Sequence, residues 1–178
     1  MIQRINVIGS SGSGKTTFSQ KLAQKMAVPH IEMDALFWKP NWQESANDEF
    51  FPKLESHLQA QRWVLDGNYS RTAHITWCRV DMVIWLDYGF GRTLYQSLSR
   101  TLNHIISKQE LWVGTNNIET FRQSFFSRDS VVLYMIQNYR KNRQKYLNIM
   151  QAEQFAHIRF VRLTSPKAAK NFLQQFKA

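Results

Sequence analysis

The sequence predicts an α/β protein built on a parallel β-sheet, because short apolar segments alternate along the chain with segments of helical periodicity. The 178 residues suit one domain, which at this size buries roughly two-thirds of its unfolded surface. No internal repeat, low-complexity tract or Pro/Gly linker interrupts the pattern. We therefore expect a single domain spanning residues 1–178.

Five apolar segments predict the strands, and in chain order they read INVIG, VPHIEMD, RWVLDGN, DMVIWLD and HIRFVRLT. After the first strand, KTTFSQKLAQKM places Phe18, Leu22 and Met26 on one face of a helix, and NDEFFPKLESHLQA predicts another helix. After the fifth strand, Ser165 suits the N-cap of a helix with Pro166 at its first position. The inner face of this last helix is expected to carry Phe172, Leu173 and Phe176.

A basic, helical insert of about seventy residues separates the fourth and fifth strands. Its two predicted helices have apolar stripes formed by Leu94, Leu98, Leu102, Ile105 and Ile106, and by Val132, Met135 or Ile136, Tyr139, Tyr146 and Met150. Because such excursions are usually lids or binding elements, we expect a lid over about residues 92–146.

The positive charge lies entirely in the second part of the chain. Residues 1–66 carry seven Lys/Arg against seven Asp/Glu, whereas residues 67–178 carry sixteen against six, which accounts for the net charge of +10. This asymmetry indicates an anionic partner, which could be nucleic acid, a membrane surface or the phosphates of a small substrate.

The sequence also favours a soluble, cytoplasmic protein. Cys78 is the only cysteine, and the N-terminal apolar run is too short for a secretory signal. The longest apolar segment, MVIWL, falls far below the ~18 residues that span a bilayer. We therefore expect no membrane partner, while the oligomeric state stays open.

The segment GSSGSGKTT matches the phosphate-binding motif G-x-x-x-x-G-K-[ST] through Gly9, Gly14, Lys15 and Thr16. A strand precedes the motif and an amphipathic helix follows it, so backbone N–H groups and the helix N-terminus are expected to surround an anion. Lys15 would reach the β- and γ-phosphates of a nucleotide, and the Thr16 hydroxyl would bind Mg²⁺. The residues expected to bind the nucleotide are Gly9, Ser10, Ser11, Gly12, Ser13, Gly14, Lys15, Thr16 and Thr17.

The segments GSSGSGKTT and VLDGNYSR, with VDMVIWLD and the basic insert after it, resemble the adenylate kinase-like kinases of nucleosides and small molecules. HIEMDALFWKPNW, ELWVGTNNIETFRQSFFSRDSVV and RLTSPKAAKNFL resemble more closely a bacterial group known as topology modulation proteins or adenylate kinase-related P-loop proteins. The resemblance covers nearly the whole chain. It implies a three-layer P-loop NTPase fold with sheet order 2-3-1-4-5, ATP with Mg²⁺ as donor, a mobile lid, and a nucleotide site that extends to Ser165 and Pro166.

Asp66 ends the third strand, and the resemblance matches it to the acidic residue beside Mg²⁺ and its waters. A carboxylate at this end of a parallel strand faces the ligand crevice, although the sequence Asp-Gly-Asn is also a common turn composition. Arg71 follows where these kinases carry an arginine for the acceptor phosphate, at a spacing one residue longer than in adenylate kinase.

Asp34 follows the second strand, where the resemblance implies a carboxylate that binds or deprotonates an acceptor hydroxyl. An oriented carboxylate assists phosphoryl transfer to a hydroxyl, whereas a nucleoside monophosphate brings its own phosphate nucleophile. Asp34 therefore favours a hydroxyl acceptor, and the alternative is a cap for the helix that contains ALFW. Trp38 and Trp42 border Asp34 and could stack on a base or sugar, but we favour plain packing.

Four arginines of the insert are candidates to contact the transferring phosphoryl group. Arg92 and Arg100 lie eight residues apart with Gln96 between them, and Arg140 and Arg143 lie at i, i+3. They could converge on one anion, as lid arginines do in the kinases that the chain resembles, or form a solvated basic face.

The charged residues around these arginines have a simpler interpretation. A run such as RKNRQK usually forms a solvated basic face, which we expect for Lys141 and Lys145. Glu119 and Asp129 are candidate salt-bridge partners within the lid.

These observations favour an ATP-dependent small-molecule kinase whose acceptor bears a hydroxyl or a phosphate. The expected catalytic residues are Lys15, Asp34, Arg71, Arg92, Arg100, Arg140 and Arg143, and the expected metal-binding residues are Thr16 and Asp66. The alternative is a nucleic-acid-binding or regulatory ATPase whose basic insert grips a phosphate backbone. A nucleotide binder without turnover is disfavoured because Lys15, Thr16 and Asp66 occur together. In a kinase, nucleic acid binding would be weak and non-specific.

Overall fold

The computed structural model describes residues 2–126 and 130–176, so the candidate salt-bridge residue Asp129 lies outside the described part of the chain. A parallel sheet is formed by β1 (Arg4–Gly9), β2 (His30–Glu32), β5 (Trp63–Asp66), β6 (Met82–Leu86) and β7 (Arg159–Leu163). The strands lie in the order β2-β5-β1-β6-β7. If only the five strands of this sheet are counted along the chain, the order is 2-3-1-4-5, so the expected order is confirmed. A short antiparallel hairpin of β3 (Trp38–Lys39) and β4 (Gln43–Glu44) was not predicted.

The helices are α1 (Lys15–Met26), α2 (Met33–Phe37), α3 (Asn47–His57), α4 (Ala73–Thr76), α5 (Phe90–Ser107), α6 (Phe121–Phe126), α7 (Val131–Ile149) and α8 (Pro166–Gln175). The predicted start of α8 is confirmed, since the Ser165 hydroxyl accepts the N–H of Ala168 at 3.2 Å and Pro166 takes the first helical position. α2, α4 and α6 are too short to show a helical period in the sequence. Within the described ranges, no helix combines the length and the apolar character that a membrane span needs.

Two apolar cores, one on each face of the sheet, give the protein three layers. Successive side chains of a strand point to opposite faces, so Trp63 of β5 belongs to one core and Val64 to the other. The helices α1 and α8 cover one face, while α2, α3, α4 and α7 cover the other. The predicted α1 face of Phe18, Leu22 and Met26 is buried.

The buried face of α5 differs from the predicted apolar stripe. Thr93, Ser97 and Thr101 are buried, whereas Leu102 and Ile106 are 43% and 78% exposed. The reason is that α5 lies against the glycine-rich loop. A Cβ atom added at Gly12 would lie 2.6 Å from the Ser97 Cβ and 2.7 Å from its Cα. An approach this close needs small side chains, so α5 turns its hydroxyl-bearing face inward.

Helix α7 follows its prediction more closely. Val132, Met135 and Tyr146 are buried, whereas Ile136 is 42% exposed, which resolves the alternative between positions 135 and 136. Helix α7 leads back to β7, the edge strand of the sheet, so both ends of the insert are anchored beside β6.

Candidate active site

The glycine-rich loop, residues 9–17, joins the central strand β1 to α1 at the carboxyl edge of the sheet, where parallel sheets bind ligands. Gly12 and Gly14 have φ angles of 80° and 81°, which glycine adopts without strain. No side chain caps the N-terminus of α1 at Lys15, so its first N–H groups can bind an anion. Within the loop Ser13 is buried, while Thr17 is exposed.

Asp66 lies next to this loop and is almost completely buried. It pairs in register with Val7 of β1, and its Oδ1 atom has no hydrogen-bond partner among the described residues. Burial raises the pKa of Asp66, while the Lys15 charge and the Thr16 hydroxyl oppose this shift. A free carboxylate oxygen beside a hydroxyl suits a hard cation such as Mg²⁺, which prefers oxygen ligands. Asp66 is therefore more than a turn residue, and its surroundings fit the metal set expected with Thr16.

Glu32 is a functional candidate that the sequence interpretation missed. It ends β2, pairs in register with Asp66, and accepts the indole N–H of Trp112 at 3.1 Å on its Oε1 atom. Burial raises the pKa of Glu32; the Trp112 bond opposes this rise, and the charges of Asp66 and Asp34 add to it. The rule that singles out Asp66, a carboxylate at the carboxyl end of a parallel strand, identifies Glu32 equally well.

Asp34 lies in the first turn of α2 and is oriented by a tyrosine. Its Oδ1 atom accepts the Tyr69 hydroxyl at 2.6 Å. The N-terminus of α2 has no side-chain cap, so the capping role considered for Asp34 is not observed. Arg71 places its guanidinium 4.4 Å from the ring centre of Phe37 and 5.6 Å from that of Tyr69. Tyr69 therefore contacts both Asp34 and Arg71.

Trp38 and Trp42 pack together, as favoured, but a third tryptophan from the insert joins them. Trp112 stacks on Trp38 at 6.4 Å between ring centres and meets Trp42 edge-on at 6.0 Å. The Asn117 side chain accepts the backbone N–H of Trp42 at 2.8 Å and donates to the carbonyl of Lys39 at 3.0 Å. The insert loop, residues 110–118, is thus docked on the β3–β4 hairpin, and this docking brings Trp112 to Glu32.

One arginine of α5 is held inside the insert. The Nη2 atom of Arg100 lies 3.5 Å from Glu119 Oε1, which confirms Glu119 as a salt-bridge partner. Arg92 and Arg140 are exposed, and neither forms an ion pair with any residue in the described ranges. Their convergence with Arg100 on one phosphoryl group stays a prediction.

Arg143 of α7 is also engaged internally. Its Nε atom lies 3.0 Å from Asp87 Oδ1, and Arg162 of β7 lies 2.5 Å from the other oxygen of this buried carboxylate. This network ties the end of the insert to β6 and β7. Lys141 is exposed, as expected, but Lys145 is only partly exposed and donates to the Ser70 hydroxyl, because α7 packs over the segment after β5. The expectation of a solvated face is therefore wrong for Lys145.

The sheet order and the glycine-rich loop define the α/β fold of the P-loop kinases. The chain is similar in structure to a shikimate kinase from Acinetobacter baumannii in complex with shikimate. The TM-score is 0.58 at 14% identity, and the match covers 98% of this chain and 90% of that one. A gluconokinase from Sinorhizobium meliloti 1021 has a TM-score of 0.52 at 14% identity, covering 97% of this chain and 92% of its own. A shikimate kinase from Bacteroides thetaiotaomicron has a TM-score of 0.53 at 17% identity, covering 98% and 96%. No family model and no curated protein sequence matches the chain.

Proposed function

We propose that the protein is an ATP-dependent kinase that transfers a phosphoryl group to a hydroxyl of a small molecule. The observation that carries the proposal is Asp34, whose carboxylate is oriented by Tyr69 and lies within electrostatic reach of Asp66 in the crevice beside Lys15. A nucleoside monophosphate would have little need for such a base, so a phosphate-bearing acceptor is less favoured. The names of the structural neighbours, shikimate kinase and gluconokinase, support the same class of reaction.

Each residue of the site has a defined part in this reaction. The loop N–H groups and Lys15 bind the β- and γ-phosphates, and the nucleotide site extends to Ser165 and Pro166 after β7. Mg²⁺ held by Thr16 and Asp66 would neutralise charge on the phosphate oxygens.

On the acceptor side, Asp34 takes the proton of the attacking hydroxyl, while Arg71 contacts the acceptor. We also propose that the protein acts in the cytoplasm, where ATP is available.

The insert, residues 92–146, is proposed to act as a lid. Closing over ATP would bring Arg92 and Arg140 towards the phosphates, and would require Arg100 and Arg143 to exchange their carboxylate partners for phosphate. ATP with Mg²⁺ should therefore protect the insert from proteolysis and hydrogen exchange. Unchanged exchange in the insert at saturating ATP would remove the lid from the mechanism.

The direct test is a screen of ATP consumption over nucleosides, nucleoside monophosphates, polyols and hydroxy acids. Lys15→Ala serves as the blank, because it removes the charge that meets the phosphates and places a strong helix-forming residue at the start of α1. We expect one acceptor class to stimulate wild-type turnover and to have no effect on the variant. Equal turnover by both proteins would refute the catalytic role of the loop.

A regulatory ATPase of the topology modulation type that binds nucleic acid is the second candidate, favoured by the exposed Arg92, Arg140 and Lys141 and by the +10 charge. A kinase of this charge should bind DNA only non-specifically, with a Kd of about 10⁻⁴–10⁻⁶ M at physiological salt. Nanomolar binding to DNA or RNA at that salt, together with an insert that ignores ATP, would replace the kinase proposal with this one.

A further inference from the structure

A cavity of about 190 Å³ lies between residues 67–77 and the C-terminal half of α7. Its lining includes no residue of the glycine-rich loop and neither Asp34 nor Asp66. The polar part of the wall is formed by residues such as Asn68, Ser70, Lys145 and Tyr146, and the apolar part by Met33, Trp77, Ile149 and Phe155. Sites for drug-sized ligands occupy ~300–1,000 Å³, so this cavity suits a smaller molecule.

Lys145 provides the charge of this cavity. Of the described residues that line it, Lys145 alone is charged, and no carboxylate of the described chain lies within salt-bridge distance of its ammonium. The Lys145 ammonium donates to the Ser70 hydroxyl, and this bond uses one of the three N–H groups of the ammonium. Burial lowers the pKa of Lys145, and no carboxylate offsets this shift. A partly buried ammonium without an anionic partner is costly, and an anion in the cavity would relieve this cost.

Tyr146 offers a second donor beside Lys145. Its hydroxyl oxygen accepts the amide N–H of Asn68 at 2.7 Å, which leaves its own proton available for an acceptor. Burial raises the pKa of Tyr146 to about 12, so the hydroxyl remains protonated at neutral pH. One ammonium and one hydroxyl match the two oxygens of a carboxylate, whereas a phosphate dianion would bring a second charge that no second cation in the wall balances.

The apolar part of the lining is rich in large side chains. Trp77 and Phe155 meet edge-on with ring centres 5.1 Å apart, and Met33 and Ile149 complete this part of the lining. We propose that this cavity is a binding site for a small monocarboxylate with an apolar body, with the carboxylate on Lys145 and Tyr146. Since Tyr69 lines the cavity and also holds Asp34, an occupant would brace the acceptor side of the crevice. This site goes beyond the proposed phosphoryl transfer.

The test uses benzoate as the probe and benzamide as its neutral counterpart, with binding to the full-length, nucleotide-free protein measured by calorimetry and by ligand-observed NMR. We expect benzoate to bind at least about tenfold more tightly than benzamide, as a charge-assisted hydrogen bond implies. Lys145→Met should remove this preference. Lys141→Met, one turn earlier on α7 and exposed, is the matched control and should bind benzoate like the wild type.

Two further variants make the result decisive. Lys15→Ala should leave benzoate binding unchanged, and loss of binding in this variant would assign the anion to the phosphate loop and overturn the proposal. Tyr146→Phe keeps the packing ring and removes one donor, so it should weaken benzoate binding even if Lys145→Met folds poorly. Benzoate binding that is equal in wild type, Lys145→Met and Tyr146→Phe would also overturn it. Because ATP is absent, neither result depends on the kinase proposal.

Discussion

Replacing Asp66 with asparagine should stabilise the nucleotide-free protein while destroying its use of Mg²⁺ and ATP. The Asp66 side chain is 3% exposed and one carboxylate oxygen has no partner among the described residues. A buried polar group left unsatisfied costs about 1–3 kcal/mol, and a charged group costs more than a neutral amide, so removal of the charge should recover a cost of this order. In a chain of this size each kcal/mol shifts the melting temperature by roughly 2–4 °C. Asp66→Asn removes the buried charge and keeps the shape. Burial raises the pKa of Asp66 more than the attraction of Lys15 lowers it, so the charged carboxylate is unfavourable in the folded protein. We therefore expect the melting temperature of the variant to rise by about 2–12 °C.

The pH dependence of this gain follows from the raised pKa of Asp66. The folded protein binds the Asp66 proton more tightly than the unfolded chain, so this group stabilises the fold at low pH, and that stabilisation is lost as pH rises through the raised pKa. The advantage of Asp66→Asn should therefore be full above the raised pKa and disappear on acidification. Thermal unfolding scans from acidic to alkaline pH measure it. A variant that melts at or below the wild-type temperature over this whole range, without ATP and Mg²⁺, would refute the reasoning.

Three further changes test the rest of the site. Asp34→Asn should lower turnover on a hydroxyl acceptor by about 10²–10⁴-fold and leave the Kd for ATP unchanged; equal turnover would remove Asp34 from the mechanism. Arg143→Gln should reduce the free energy of unfolding in urea by about 1–3 kcal/mol, because buried Asp87 loses one partner. Arg140→Gln, exposed on the same helix, should leave that free energy unchanged, and equal losses in both variants would contradict the assignment. Gly12→Ala should abolish ATP binding measured by calorimetry, because the alanine Cβ would clash with Ser97 and alanine rarely adopts the positive φ angle of this position. Wild-type affinity would show that α5 can move aside.

The parts of the fold that were predicted correctly have local causes. Fully apolar segments such as that at Met82–Leu86 appear as buried strands, and the cap at Ser165 depends on its immediate neighbours. The glycine-rich loop is equally local, since a glycine-rich turn between a strand and a helix can be identified from consecutive residues. The resemblance to known kinases supplied the sheet order, which no local pattern contains.

The features that escaped prediction depend on contacts between distant segments. Trp112 donates to Glu32 across 80 positions of the sequence, and neither side chain carries a periodic signal. The buried face of α5 was misassigned because hydrophobic periodicity assumes that an inward face is apolar, whereas this face meets the backbone at Gly12. Asp87 was passed over because the two arginines that hold it come from α7 and β7.

The contact between Gly12 and Ser97 limits how this protein could be rebuilt. The backbone of the glycine-rich loop and the backbone of α5 approach so closely that a methyl group at position 12 would meet Ser97 at 2.6 Å. The insert is therefore not an interchangeable module. A chimaera that carried the insert of another protein with this fold would keep the conformation of the loop only if its first helix presented a small residue opposite Gly12. The loop and the first turns of α5 must therefore be transplanted as one unit.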